Sequence, residues 1–293
     1  MVTLLLAIYV GLILMHTFVM GRDLVAHKKD LGHGNWAVSG GIGFVTDFLD
    51  TLGIGSFAPT AMLLDFTKQL GADRLLPGTL NVGHAIPVLV EAFIFTTVVD
   101  VSPVTLFALI GSATVGSFIG SKFVTKLPEK KVQFWMGWAL IVTAVLMALR
   151  QTGMLNMLGE GNTATALTGI KLIIGVVVNF VLGALMTIGV GLYAPCMAMV
   201  YMLGLSPLVA FPVMMGSCAG LMPVASINFV KEGDYARKVS LAITLGGIIG
   251  VIIAANFVTN LNLEILTWII ICVIVYTGVT YILKSRKPAA AVD

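Results

Sequence analysis

Apolar residues run almost unbroken through this chain, and polar residues collect in short intervals between the runs. The apolar stretches cover 2–20, about 37–64, 80–99, 103–121, 132–149, 168–200, 206–230, 239–258 and 265–283. Runs of about 18 or more apolar residues predict membrane-spanning helices. Two of the stretches are interrupted in the same way. Residues 51–59 read TLGIGSFAP and residues 187–195 read TIGVGLYAP. Two glycines and a proline are poor material for a straight helix. The two stretches lie 136 positions apart, and the same offset pairs Pro87 with Pro223 and Phe93 with Phe229. A slip of two residues then pairs Gly116 with Gly250, Gly120 with Ala254 and Phe123 with Phe257. The register predicts an opening span and two related halves, a plan common among secondary transporters.

The arrangement of the halves depends on the interrupted stretches. If every stretch crosses the membrane, each half crosses four times and the halves are parallel. If 37–64 and 168–200 enter and return on one side, each half crosses three times and the halves are inverted. Lys and Arg favour cytoplasmic loops. With the N-terminus outside, the re-entrant arrangement puts 15 of the 17 basic residues inside, in 21–36, 65–79, 122–131, 231–238 and the tail. Only Arg150 and Lys171 fall outside. The all-crossing arrangement divides them 11 against 6. Length points the same way. The 33 residues of 168–200 would span roughly 50 Å as one helix, against a hydrocarbon core of about 30 Å. The expected fold is therefore an all-α polytopic membrane protein. One N-terminal transmembrane helix precedes two inverted repeats, each a re-entrant broken-helix hairpin plus three transmembrane helices. The expected divisions are 1–36 (span and cytoplasmic loop), 37–150 (first repeat, tip 51–59), 151–167 (external linker), 168–283 (second repeat, tip 187–195) and 284–293 (cytoplasmic tail).

Composition changes the picture only by excluding alternatives. Of 293 residues, 58% are hydrophobic and 11% charged, against about 25% charged in a soluble chain; mean hydropathy is +1.02. A soluble binding module is excluded. The 2–20 run has no basic residue ahead of it and no clear small-x-small site after it, so it reads as a retained span, with a signal peptide as the lesser alternative. Cys196, Cys218 and Cys272 form no CxxC pair and no disulfide framework. There is no phosphate loop, HExxH helix or nucleic-acid module, and no cofactor or metal is expected.

Non-helical backbone at membrane depth survives only where protein buries it or it lines a polar cavity. Gly53, Gly55, Gly189 and Gly191 are expected to free the backbone at each tip, and Pro59 and Pro195 to sit in the first turn of each outgoing helix. Two such helix starts facing each other would favour an anion. Thr51, Ser56, Thr60, Thr187 and Cys196 join the candidate substrate-binding set, as do Thr79, Asn81 and Ser217 on the stretches that follow. A membrane cysteine is more often a small apolar filler, and that reading stands beside the site role for Cys196 and Cys218. Gly116-x-x-x-Gly120 reads as a packing motif. Asp47 and Asp50 precede the first tip on one helical face, with no carboxylate at their counterparts Gly183 and Met186. An intramembrane carboxylate is a functional candidate because burying it is costly. Asp47, Asp50 and Glu91 are the candidate proton-coupling residues, with Asp50 nearest the tip.

The glycine-then-proline tips, GSFIGSKFVTKLPEKKVQFWMGWALIVTA after the first and GGIIGVIIAANF after the second together resemble the TauE/SafE-type sulfite exporter family, also called the toluene-sulfonate uptake permease family. The likeness covers nearly all of the chain after the first span. It departs at Ser56 and Leu192, where the family has a third glycine, in the early proline and in the added aspartates. It implies transport of a small sulfur-containing anion such as sulfite or an organosulfonate. The expected protein is thus a secondary transporter of the cell inner membrane with its C-terminus in the cytoplasm. Its partners would be that anion and the lipid bilayer; oligomeric state stays open. An anion channel is the first alternative. A membrane-embedded enzyme is the second, disfavoured because the second half contains no histidine.

Overall fold

The computed structural model describes residues 2–95, 101–158, 160–257 and 264–286. The ends of the 80–99 and 239–258 stretches and the tail beyond 286 lie outside the described residues. The described residues are almost entirely helical. In chain order the helices are α1 (Val2–Ala26), α2 (Trp36–Thr51), α3 (Phe57–Phe66), α4 (Leu76–Phe95), α5 (Pro103–Val124), α6 (Glu129–Gln151), α7 (Met154–Met157), α8 (Gly169–Met186), α9 (Tyr193–Met202), α10 (Pro207–Glu232), α11 (Arg237–Phe257) and α12 (Glu264–Arg286). A 3₁₀ turn at Asp73–Leu75 precedes α4. Among the described residues, six helices are long and apolar enough to cross a membrane: α1, α5, α6, α8, α10 and α11. The chain is an all-α membrane protein.

Local chemistry explains the ends. The Asn35 side chain accepts from the N–H groups of Ala37 and Val38 at 2.9 and 3.1 Å and so starts α2. Pro103 and Pro207 open α5 and α10, where a missing N–H costs nothing. Both glycine-rich stretches are helix breaks, between α2 and α3 and between α8 and α9. Gly53 and Gly55 have φ of +88° and +93°, and Gly189 has +108°. Gly191 differs from expectation, because its φ is not in the left-handed region. Pro59 and Pro195 are the third residues of α3 and α9, among the first-turn positions whose N–H groups have no intrahelical acceptor.

Helix α2 lies along α11, α8 along α5 and α6 along α12, while α4 and α10 pack against each other at the centre. Glycines allow the closest approaches. A Cβ on Gly116 would run into the Phe180 carbonyl, and one on Gly250 into the Phe44 carbonyl. These are small-residue seams of the kind that replaces hydrophobic burial inside membranes.

Hydrogen bonds gather the polar loops at two ends. At one end, Arg237 and Tyr235 each donate to Asp23 at 2.6 Å. Burial, and then this bond, push the Tyr235 phenol well above its ordinary range, so it remains a donor. His33 Nε2 is 3.1 Å from the Lys68 carbonyl. Arg74 donates to both oxygens of Asp234 at 2.6 and 2.7 Å and reaches the Thr125 carbonyl at 3.4 Å. Lys284 pairs with Asp65 at 2.5 Å. At the other end, Ser102 donates to the Thr165 carbonyl at 3.0 Å and Ser206 to the Ala164 carbonyl at 2.8 Å.

Candidate functional site

The two helix breaks face one cavity of about 50 Å³. Gly55, Ser56, Phe57 and Ala58 line it from the first break, and Gly191, Leu192, Tyr193 and Ala194 from the second. These are the same four places in the two halves, each pair 136 positions apart. A water needs about 10–15 Å³ of such space, so the cavity suits a few waters or one small ion. Its walls are mostly apolar, with Val88, Leu146, Met147, Met186 and Met222 among them. The polar groups converging on it are Asp50, Ser56, Thr143, Arg150, Tyr193 and the thiol of Cys218. A largely apolar pocket with a few placed polar groups is the usual form of a small-ligand site.

A buried polar cluster adjoins the cavity. Ser56 donates to Asp50 at 2.8 Å. The Tyr193 hydroxyl donates to Glu91 at 3.2 Å and also faces Asp50. Asp47 and His84 Nδ1 are 2.7 Å apart, with neither side chain exposed. The Phe57 ring lies against the His84 ring, their centroids 5.9 Å apart. The helix periodicities produce this cluster. Asp47 and Asp50 share a face of α2 at i, i+3 spacing, and His84 and Glu91 share a face of α4 two turns apart. Among the described residues, Asp47 Oδ2, His84 Nε2 and Glu91 Oε2 have no hydrogen-bond partner. Burying such atoms is expensive, which marks the cluster as more than packing.

The cavity shares three lining residues, Ile54, Met147 and Arg150, with a second one, and this shared wall is called its neck. Arg150, at the end of α6, lines the first and also lines the second, a cavity of about 190 Å³ shared with Leu52, Gly53, Gln151 and Asn156. Its guanidinium donates to the Gly53 carbonyl. The Gly191 N–H donates to Thr143 Oγ1 at 3.3 Å, which ties the second break to the same helix, α6.

Of the candidate residues, Asp50, Gly55, Ser56 and Gly191 line the inner cavity, and Gly53 lines the outer one. Asp47 and Glu91 belong to the adjoining cluster. The others lie elsewhere or are spent locally. The Thr51 and Thr187 hydroxyls donate to carbonyls of their own helices, Asp47 at 2.9 Å and Ala184 at 2.6 Å. Thr60 donates to Thr46 Oγ1 at 2.9 Å. Thr79 accepts from the Ala236 N–H at 2.9 Å, at the Arg74 end of the molecule. Asn81 donates to the Pro77 carbonyl at 2.9 Å. Ser217 accepts from Asn179 at 2.9 Å. Gly189 faces the Met136 sulfur, and Cys196 is fully buried in the core. Of the residues with no assigned role in the sequence reading, Tyr193, Thr143 and Arg150 line the cavity. Tyr193 had a signal, since it carries a hydroxyl where the first tip has Phe57.

Among the described residues, no three His, Cys, Asp or Glu side chains stand together as a metal site. Comparisons with protein-family models, curated proteins and solved structures found no match to this chain.

Proposed function

We propose that the chain is an inner-membrane secondary transporter for a small sulfur-containing oxyanion, built as two inverted repeats with opposed re-entrant tips. One observation carries the reading: four matched residues from each half line a single cavity. Among them, Phe57 and Ala58 open α3 and Tyr193 and Ala194 open α9, positions whose N–H groups have no intrahelical acceptor.

The hairpin reading is supported at both tips. Thr60 on α3 reaches back to Thr46 on α2. The Asn35 N–H before α2 bonds the Gln69 side chain after α3 at 2.7 Å. Asn162, ahead of α8, likewise donates to the Tyr201 carbonyl in the last turn of α9 at 2.8 Å. Helices α3 and α9 have ten residues each, about 15 Å, half of what a crossing needs. The loop ties support the orientation as well. Arg74 of 65–79 bonds both Thr125 of 122–131 and Asp234 of 231–238, and those loops would face opposite sides if every stretch crossed. Interfaces repeat too: Gly116 meets Phe180 and Gly250 meets Phe44, while Gly183 meets Ala113 and Gly247 meets Asp47. By the sequence offsets these are two copies of the same two contacts. The basic loops are then cytoplasmic and Arg150 lies toward the outside.

The carboxylates give the reading its coupling. An anion entering beside Asp50 and Glu91 is repelled unless they carry protons. Proton and anion then move together, with Asp50 as the group shared between cavity and cluster. The tests are proteoliposome uptake of labelled sulfite, sulfoacetate and taurine, with and without a proton gradient. Gradient-driven uptake of a sulfur oxyanion is expected. Transport of a cation in place of every such anion overturns the reading, and anion flux indifferent to the gradient makes the protein a channel.

A further inference from the structure

Arg150 stands where its charge is hard to explain by folding alone. A cation in the last turn of a helix is common and is favoured by the helix dipole. That accounts for an arginine at the end of α6, but not for its position over the first helix break. Its guanidinium donates to the Gly53 carbonyl and lies directly against that glycine, where a Cβ would stand 2.9 Å from Arg150 Nη2. Among the described residues, no carboxylate lies within ion-pair distance of Arg150. The carboxylate that shares the inner cavity with it, Asp50, is bonded to Ser56 instead. Ile54, Met147 and Arg150 are common to the inner and outer cavities, so the guanidinium sits at the boundary between them. It is the one basic side chain among the described residues lining either. A half-buried guanidinium held by one neutral carbonyl keeps most of its donors for something else. Its planar fork fits an oxyanion, two N–H groups to two oxygens.

We propose that Arg150 is the residue that selects the charge of the cargo. It leaves the Gly53 carbonyl to pair with an oxyanion in the outer cavity, and hands it to the inner cavity between the two breaks. This rests on the anion reading above and assigns the recognition of the anion to one side chain. The Gly53 carbonyl serves as the resting partner, which holds the neck closed when no anion is bound.

The experiment is uptake of ³⁵S-sulfite into proteoliposomes by the full chain and three variants, Arg150→Gln, Arg150→Lys and Arg150→Cys. Arg150→Gln is expected to lose about tenfold or more of the uptake at low sulfite, the value of a charge-assisted hydrogen bond, and Arg150→Lys to keep a larger share. Arg150→Cys is then alkylated with 2-bromoethylammonium, which leaves a cationic thioether, or with iodoacetamide, which leaves a neutral one, adducts that sulfite does not cleave, and the unsubstituted protein receives the same reagents to correct for reaction at Cys218 or Cys272. Recovery with the cationic adduct alone is expected. Because both adducts are compared on one protein, a change in folding cannot imitate this result. Uptake by Arg150→Gln at the full rate, or equal recovery with both adducts, overturns the role of Arg150 and leaves the transport reading standing. No sulfite, sulfoacetate or taurine uptake by the unsubstituted chain overturns both.

Discussion

Asp47 and His84 meet at 2.7 Å with no exposed surface on either side chain, joining α2 to α4 beside the cavity. The contact is an ion pair when the imidazole is protonated and a hydrogen bond when it is neutral. Removing one partner from a buried pair leaves the other uncompensated, at a cost of about 3–5 kcal/mol. His84→Gln, which strands the carboxylate, is predicted to lower the unfolding midpoint in detergent more than Asp47→Asn does. The double substitution is predicted to cost less than the sum of the two, with a coupling of about 0.5–3 kcal/mol. Additive midpoints would show that the pair does not stabilise the fold.

The same carboxylate explains a glycine. Gly183 in the second half occupies Asp47's place and packs against Ala113, whereas Asp47 packs against Gly247. A Cβ on Gly247 would strike Asp47 Oδ2. Gly247→Ala is therefore predicted to disturb the Asp47–His84 contact and to destabilise by about 1–3 kcal/mol, the usual cost of overpacking. In an Asp47→Gly background, which recreates the second half's small residue, the loss should shrink to what the contact of the added methyl with Pro87 Cγ, 2.7 Å away, still costs. Thermal unfolding of the three variants checks this. An equal loss from Gly247→Ala in both backgrounds would mean that the Pro87 ring, not the carboxylate, sets the limit.

Much of this arrangement was legible in the chain because it is local. Two glycines and a proline in an apolar run mark a broken helix, and the spacing of Asp47 and Asp50 puts both on one face. What was not legible depends on long-range approach. Arg150 reads as a stray external charge until α6 carries it to Gly53, 97 positions away. His84 finds Asp47 across 37 positions. Thr79 and Ser217 look like site donors by their matched neighbourhoods, yet their hydroxyls serve Ala236 and Asn179. A hydroxyl in an apolar stretch states only that a partner is needed. Which partner satisfies it is decided by packing.

Asp50 separates coupled transport from a channel. It lines the cavity and accepts from Ser56 at 2.8 Å, and asparagine preserves an acceptor there while removing the titrating proton. Under the proposed coupling, an inward proton gradient accelerates sulfite uptake by the unsubstituted protein. Asp50→Asn is predicted to abolish that acceleration while exchange of labelled sulfite across equilibrated membranes continues. Ser56→Ala keeps the carboxyl and should keep the gradient dependence, with the site loosened by loss of about 1 kcal/mol of hydrogen bonding. Retained acceleration in Asp50→Asn would move the coupling role to Glu91 and its partner Tyr193.

The two helix breaks are matched in sequence but strained differently, and alanine substitutions can measure the difference. Gly55 has φ +93°, and nothing lies within 4 Å of where its Cβ would be. Any cost of Gly55→Ala is thus backbone strain alone, about 1–2 kcal/mol for an L-residue held in the left-handed region. Gly191 occupies the matching place with an ordinary φ, and its Cβ would stand 3.4 Å from the Thr143 side chain. Gly191→Ala is predicted to change stability by no more than about 0.5 kcal/mol. Gly55→Ala should therefore lower the unfolding midpoint and, under the proposed function, slow sulfite uptake, because the strained residue borders the cavity directly. Equal effects at the two positions would show that close packing around the cavity, and not backbone conformation, is why both breaks carry glycine there.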